Sequence, residues 1–180
     1  MTARHTRHVT TVLVGDVPPV LEQWLGERRR LGLDRRDEVW EGALHVAPYA
    51  GSGHGRLESQ LERLLYDRAV EVGLTPGGRF NLGEAGNYRV PDVGYHRDTS
   101  GAAWIPTEAL IVEIRSPGDE TDAKFSFYAA HRVQEILVVD PAQRSVRWWQ
   151  LGDDGGYAEQ PGSTLLDPDA ATLAAELDWP

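Results

Sequence analysis

Apolar side chains recur at helical spacing at Leu57, Leu61, Leu64, Leu65 and Val72, and this run predicts the most regular helix of the chain. Gly73 follows as a plausible stop. A second helix is expected from Pro18 and Pro19 to about Leu31, because proline is tolerated in a first turn. Between these helices, Asp37 to Val46 reads as a strand pair broken near Gly42, and Ala50 to Gly55 reads as a loop. Beyond them, Arg79 to Leu82, Tyr88 to Tyr95 and Leu110 to Ile114 read as successive strands. A helix from about Thr121 to His131 precedes the apolar strand Glu135 to Val139, which Asp140 and Pro141 end. Ser145 to Leu151 returns as another strand. Gly155 and Gly156 fit a hairpin turn, Ser163 to Leu166 carries a weak strand signal, and Ala170 to Leu177 a short helix. The order of elements predicts a mixed α/β (α+β) fold, a central mixed β-sheet flanked by helices, in one domain with a polar tail at residues 1–11.

Composition narrows the function classes. The chain has 180 residues, 41% hydrophobic and 26% charged, enough for one domain with a sizeable core. No apolar run approaches a membrane span, and the basic amino terminus lacks the apolar stretch of a secretory signal, so a cytoplasmic protein is expected. Having no cysteine, the chain forms no disulfide, thiolate nucleophile or cysteine zinc site. A net charge of −10 opposes loose, non-specific adhesion to nucleic acid. It leaves room for a nucleic-acid enzyme, because bound divalent cations invert the field of an acidic cleft. Arg28, Arg29, Arg30, Arg35 and Arg36 are the densest basic cluster, readable as a solvated helix end or as a phosphate-contacting patch.

Lysine occurs once, at Lys124, against 17 arginines. An ammonium is a compact, rotatable charge, whereas guanidinium is a planar fork, so a retained lysine suggests a task arginine cannot perform. The competing reading is a solvated lysine on a helix surface. Two carboxylates precede it on predicted strands. Asp92 follows Pro91 at a strand start, and Glu113 interrupts the apolar run of Ile111, Val112 and Ile114, where an acid is costly unless paired or metal-bound. A buried salt bridge to an arginine is the structural alternative for Glu113. Asp119, Glu120 and Asp122 are expected to cap the helix that carries Lys124. Trp148 and Trp149 alternate across a strand, one toward the core and one toward an interface. Six tryptophans in a modest domain also suggest a homodimer.

In order, PDVGYH (Pro91 to His96), LIVEIRSPGDET (Leu110 to Thr121) and KFSFYAAHRVQEILVVDP (Lys124 to Pro141) resemble the Uma-two family of restriction endonucleases, within the PD-(D/E)XK nuclease superfamily. DEVWEGALHVAP (Asp37 to Pro48) and SGHGRLESQL (Ser52 to Leu61) resemble that family's amino-terminal acidic and histidine motif, and the likeness spans Glu38 to Leu151. The resemblance implies that Asp92 and Glu113 bind a catalytic Mg2+, with Mn2+ as a substitute and the Ile114 backbone carbonyl as a further ligand. The superfamily's lysine would stand two residues after Glu113, where this chain has Arg115; the Uma-type pattern takes its lysine from the following helix, at Lys124, with Tyr128 one turn later. Glu38 and His54 match the earlier acidic and histidine positions as accessory residues, and Glu41, Arg115 and Tyr128 are further candidates. The function implied is metal-dependent phosphodiester hydrolysis with DNA as the substrate. The alternative is a non-catalytic nuclease-fold module that binds a protein or nucleic acid, since a fold does not establish an activity.

Overall fold

A computed structural model describes residues 11–48, 50–97, 100–118 and 120–180. Among the described residues, two six-stranded mixed sheets and four α-helices make up the fold, so the strands expected in one sheet divide between two. Strands β1 (Thr11–Leu13), β2 (Glu38–Trp40), β3 (Ala43–Val46), β5 (Asn81–Glu84), β6 (Asn87–Arg89) and β8 (Trp104–Ile105) form the first, in the order β1-β3-β2-β6-β5-β8. The second contains β4 (Thr75–Gly77), β7 (Val93–His96), β9 (Leu110–Ile114), β10 (Glu135–Asp140), β11 (Ser145–Leu151) and β12 (Tyr157–Gln160). Its order is β12-β11-β10-β9-β7-β4, with β9 and β10 parallel and the remaining pairs antiparallel. Of the tail at residues 1–11, only Thr11 is among the described residues, and it opens β1 against β3.

The central strands β9 and β10 are buried along their whole length, which explains their unbroken apolar character. One face of this sheet packs on helix α2 (Ser52–Glu71) through Leu57, Leu61, Leu65 and Ala69, all fully buried. Each buried leucine contributes about 1.5–3 kcal/mol relative to exposure. Helix α4 (Ala170–Glu176) closes the same core with Leu173. Across the sheet, Ile111, Ile136 and Val138 meet Phe127 and Tyr128 of α3 (Phe125–Ala130), which a 3-10 turn at Thr121–Lys124 introduces. Alternation on β9 therefore sends Leu110, Val112 and Ile114 to the α2 face and Ile111 with Glu113 to the α3 face.

Helix α1 (Pro19–Arg30) begins at the predicted proline, and α2 ends at Glu71, two residues before Gly73, whose φ of +77° a glycine adopts without steric cost. Four expectations are corrected. Ala50 to Gly55 is not wholly loop, since α2 starts at Ser52. Tyr88 to Tyr95 is not one strand: the chain leaves β6 in the first sheet, passes Val90 and Pro91, and enters β7 in the second. Proline lacks the N–H that an uninterrupted ladder needs. Ser163 to Leu166 forms no strand; the Ser163 hydroxyl accepts from the Leu165 and Leu166 N–H groups, a local turn that competes with a ladder. Glu120 and Asp122 do not cap the helix through side-chain hydrogen bonds, pairing instead with His45 and Arg115, and Asp119 lies outside the described residues.

Candidate active site

The break between β6 and β7 positions the first carboxylate. Val93 pairs with Val112 and Gly94 with Ile111, so one further step of the antiparallel register sets Asp92 opposite Glu113. The Asp92 N–H donates to the Val112 carbonyl at 3.1 Å, holding the strand entrance against β9. Glu38 approaches from β2 of the other sheet, His54 from the first turn of α2, and Lys124 from the end of the 3-10 turn. All five side chains line one cavity of about 400 Å3 between the two sheets.

Hydrogen bonds fix each group. Lys124 Nζ lies 2.8 Å from Glu38 Oε1 and 3.2 Å from Glu113 Oε1, so the ammonium bridges carboxylates from the two sheets. Tyr128, fully buried, donates its hydroxyl to Glu113 Oε1. The Val90 N–H donates to Glu38 Oε1 at 2.9 Å and the Trp40 indole to Glu38 Oε2 at 2.7 Å. Asp92 Oδ2 accepts from the Ile114 N–H at 2.9 Å, while Oδ1 stands 2.9 Å from His54 Nε2. An ionised carboxylate only accepts, so Nε2 carries the imidazole proton in this pair, leaving Nδ1 to the Ser116 hydroxyl at 3.3 Å.

Electrostatics separate the two central acids. Burial pushes Glu113 up to about 7, with Asp92 and Glu38 adding to the rise, while Lys124 and the Tyr128 hydrogen bond oppose it. Burial also acts on Asp92, but the hydrogen bond and charge of His54 and the Ile114 N–H outweigh it and hold Asp92 below the usual carboxylate range. For Lys124, burial favours the neutral amine; Glu113 and Glu38 overcome it and keep the ammonium charged. Glu113 is thus held toward its neutral acid, its cross-strand neighbour Asp92 toward the anion, and Lys124 toward the cation.

Of the residues singled out in the sequence, Glu38, His54, Asp92, Glu113 and Lys124 line the cavity together, with Ile114 and Arg115 also on its wall. Arg115 forms an ion pair with Asp122, and Tyr128 acts behind the wall through Glu113. Glu41 is exposed and lies outside the cavity lining, its N–H bound to Asn87 Oδ1 at 3.1 Å. Two participants escaped the sequence reading. Glu58 lies one helical turn after His54, and the two offer ligand atoms that lie with one of Asp92 within 4.8 Å of one another. Arg79 pairs with Glu58 and lies 3.5 Å from Asp92 Oδ1, while Arg36 lies 3.6 Å from Glu58. The His54 and Glu58 spacing was a readable signal, because residues four apart share a helix face; the loop expected at Ala50 to Gly55 concealed it.

The oxygen donors of Asp92 and Glu113 on the cavity wall suit a hard divalent cation, and His54, Glu58 and Asp92 form a second grouping of ligand atoms within 4.8 Å of one another. A crystal structure described as that of a "putative nuclease belonging to DUF820" from Anabaena variabilis shares the fold, with a TM-score of 0.58 at 16% identity over 78% of this chain and 84% of that one. No curated protein matches the chain. The family model Uma2, described as "Putative restriction endonuclease", matches residues 21–179, nearly the whole length, and the chain belongs to that family.

Proposed function

We propose that this protein is a Mg2+-dependent DNA endonuclease that hydrolyses phosphodiester bonds in the cavity between its sheets. The observation that carries this reading is the convergence of Glu38, Asp92, Glu113 and Lys124, from both sheets and the 3-10 turn, onto one cavity. Burying three carboxylates and one ammonium is costly, and packed apolar residues would stabilise the same space better. Such a cluster is expected where its chemistry is used. Asp92 and Glu113, with the Ile114 carbonyl, would hold the cation, and Mn2+ has the same oxygen preference. When bound, the ion supplies Lewis-acid polarisation of the phosphate and lowers the pKa of an attacking water.

The chain's own groups have distinct tasks. Tyr128 fixes one oxygen of Glu113, leaving Oε2 less encumbered. His54 and the Ile114 N–H orient Asp92 through both of its oxygens. Glu38 holds Lys124 Nζ at the cavity wall, where the ammonium stabilises the negative charge that grows on the phosphate. The test is cleavage of linear, supercoiled and single-stranded DNA by wild type and Glu113→Gln with Mg2+ or Mn2+. Wild type is expected to cleave only with a divalent cation, and the variant to lose about a hundredfold or more in rate. Cation-independent cleavage, or full activity of Glu113→Gln, would contradict the proposal.

A further inference from the structure

Beside the acidic cavity lies a second one of about 650 Å3, and the two share Arg36 and Arg79 on their common wall. Its character is opposite. Arg28, Arg35, Arg36 and Arg79 line it with Asn81 and Phe80, and no carboxylate is among its described lining residues. In a chain of net charge −10, four guanidiniums around one hollow are a concentrated departure from the average. Their commitments differ. Arg28 is structural, bound to Asp37 at 2.8 Å and to the Leu33 carbonyl at 2.9 Å. Arg36 and Arg79 share the carboxylate of Glu58, and Arg79 also lies 3.5 Å from Asp92 Oδ1 at the border of the acidic cavity. Arg79 also keeps a buried Nε without a hydrogen-bond partner. Arg35 is exposed and forms no ion pair with a described residue. Nearby like charge is felt at Arg36, where burial and the Arg79 guanidinium both disfavour the protonated form.

We infer that this second cavity seats the phosphodiester backbone on one side of the scissile bond, with Arg35 and Arg36 as phosphate-binding residues and Arg79 at the junction with the acidic cavity. The assignment rests on the endonuclease reading for the identity of the strand. Phosphate oxygens answer the exposed Arg35 and the lining guanidiniums of a hollow without a described carboxylate, and guanidinium matches them through paired N–H donors. The arrangement divides the work between an acidic hollow suited to cations and a basic hollow suited to phosphate. It also reconciles an acidic protein with a polyanionic substrate, since attraction is confined to the path that ends at Asp92.

The experiment measures binding and cleavage separately. Fluorescence anisotropy of a labelled oligonucleotide, single-stranded in one arm and duplex in the other, is recorded with EDTA present over a salt series. The proteins are wild type, Arg35→Ala, Arg36→Ala, the double variant, and Arg63→Ala, which removes an exposed charge on α2 outside both cavities. Each cavity variant should weaken binding several-fold and reduce the slope of log affinity against log salt by about one, and the double variant by about two. Arg63→Ala should leave both quantities unchanged. A double variant with wild-type affinity and slope overturns the inference, as does equal loss in Arg63→Ala or failure of wild type to bind either probe. Cleavage of the same oligonucleotides by wild type with Mg2+ is the separate arm. Binding that depends on Arg35 and Arg36 without any cleavage would refute the endonuclease reading and support the phosphate seat.

Discussion

Lys124 is the one ammonium side chain of the protein, and its position makes it a hinge between two carboxylates rather than a surface charge. Its side chain is 13% exposed, with Glu38 and Glu113 too close to admit a longer planar head without rearrangement. Lys124→Ala is therefore expected to reduce DNA hydrolysis about a hundredfold or more at saturating Mg2+. The fold should persist, because Glu113, already pushed up to about 7, takes a proton when its neutralising partner is removed. Lys124→Arg should lose much of the activity despite keeping the charge. Turnover and thermal midpoint measured side by side test this, and near-wild-type turnover in both variants would remove Lys124 from the mechanism. At this scale the sequence was informative where chemistry and pattern coincided: an acid inside an apolar strand at Glu113, an acid after proline at Asp92, and a solitary lysine. Glu58 is marked only by its four-residue spacing from His54, and Arg79 carries no mark, since an arginine is ordinary on a surface and three-dimensional proximity alone joins it to Asp92.

Elements with a full period of hydrophobicity were legible from the chain, and short ones were not. Helix α2 and strands β9, β10 and β11 offer enough residues to reveal a face or a buried run. Strands β4 and β8 have three and two residues, and β4 is Thr75-Pro76-Gly77, a sequence that intrinsic strand preference disfavours. Such a strand exists because its neighbour supplies the pairing: Gly77 lies opposite Gly94 in register. These two glycines make room for bulky rings, since a Cβ on Gly94 would collide with Phe80 and His96, and one on Gly77 with His96. Gly94→Ala should thus force the Phe80 ring away and cost about 1–3 kcal/mol as an overpacked site. Urea unfolding measures the loss, and an unchanged midpoint would mean that the rings move aside freely. Because Gly94 is two residues from Asp92, the same substitution should also reduce DNA hydrolysis more than the stability loss explains.

For the molecule as a whole, the tryptophans divide between interior and surface. The aromatic surplus that suggested a homodimer is mostly absorbed internally: Trp148 is in the core, Trp149 packs on Phe125, and Trp40 stacks on His45 beneath Arg89. Trp24 and Trp104 remain 43% and 40% exposed. No helix among the described residues is long and apolar enough to cross a membrane. Global stability carries a buried acid outside the lining of both cavities. Glu108 is 5% exposed and pairs with His96, and the Ala109 N–H donates to its Oε1 at 2.7 Å. Burial pushes its carboxyl above the ordinary value of 4.5, with His96 and Arg97 opposing the rise without cancelling it. A folded-state pKa above the unfolded one means that the native protein binds the extra proton in the window just above 4.5. The corresponding stabilisation is complete below that window and is lost as pH rises through the folded pKa. Glu108→Gln keeps the shape and stays neutral throughout. Measured by urea unfolding from about pH 4 to about pH 7, the stability of wild type relative to Glu108→Gln should fall with rising pH. A relative gain for wild type across that window would mean that the His96 pairing, rather than burial, dominates at Glu108.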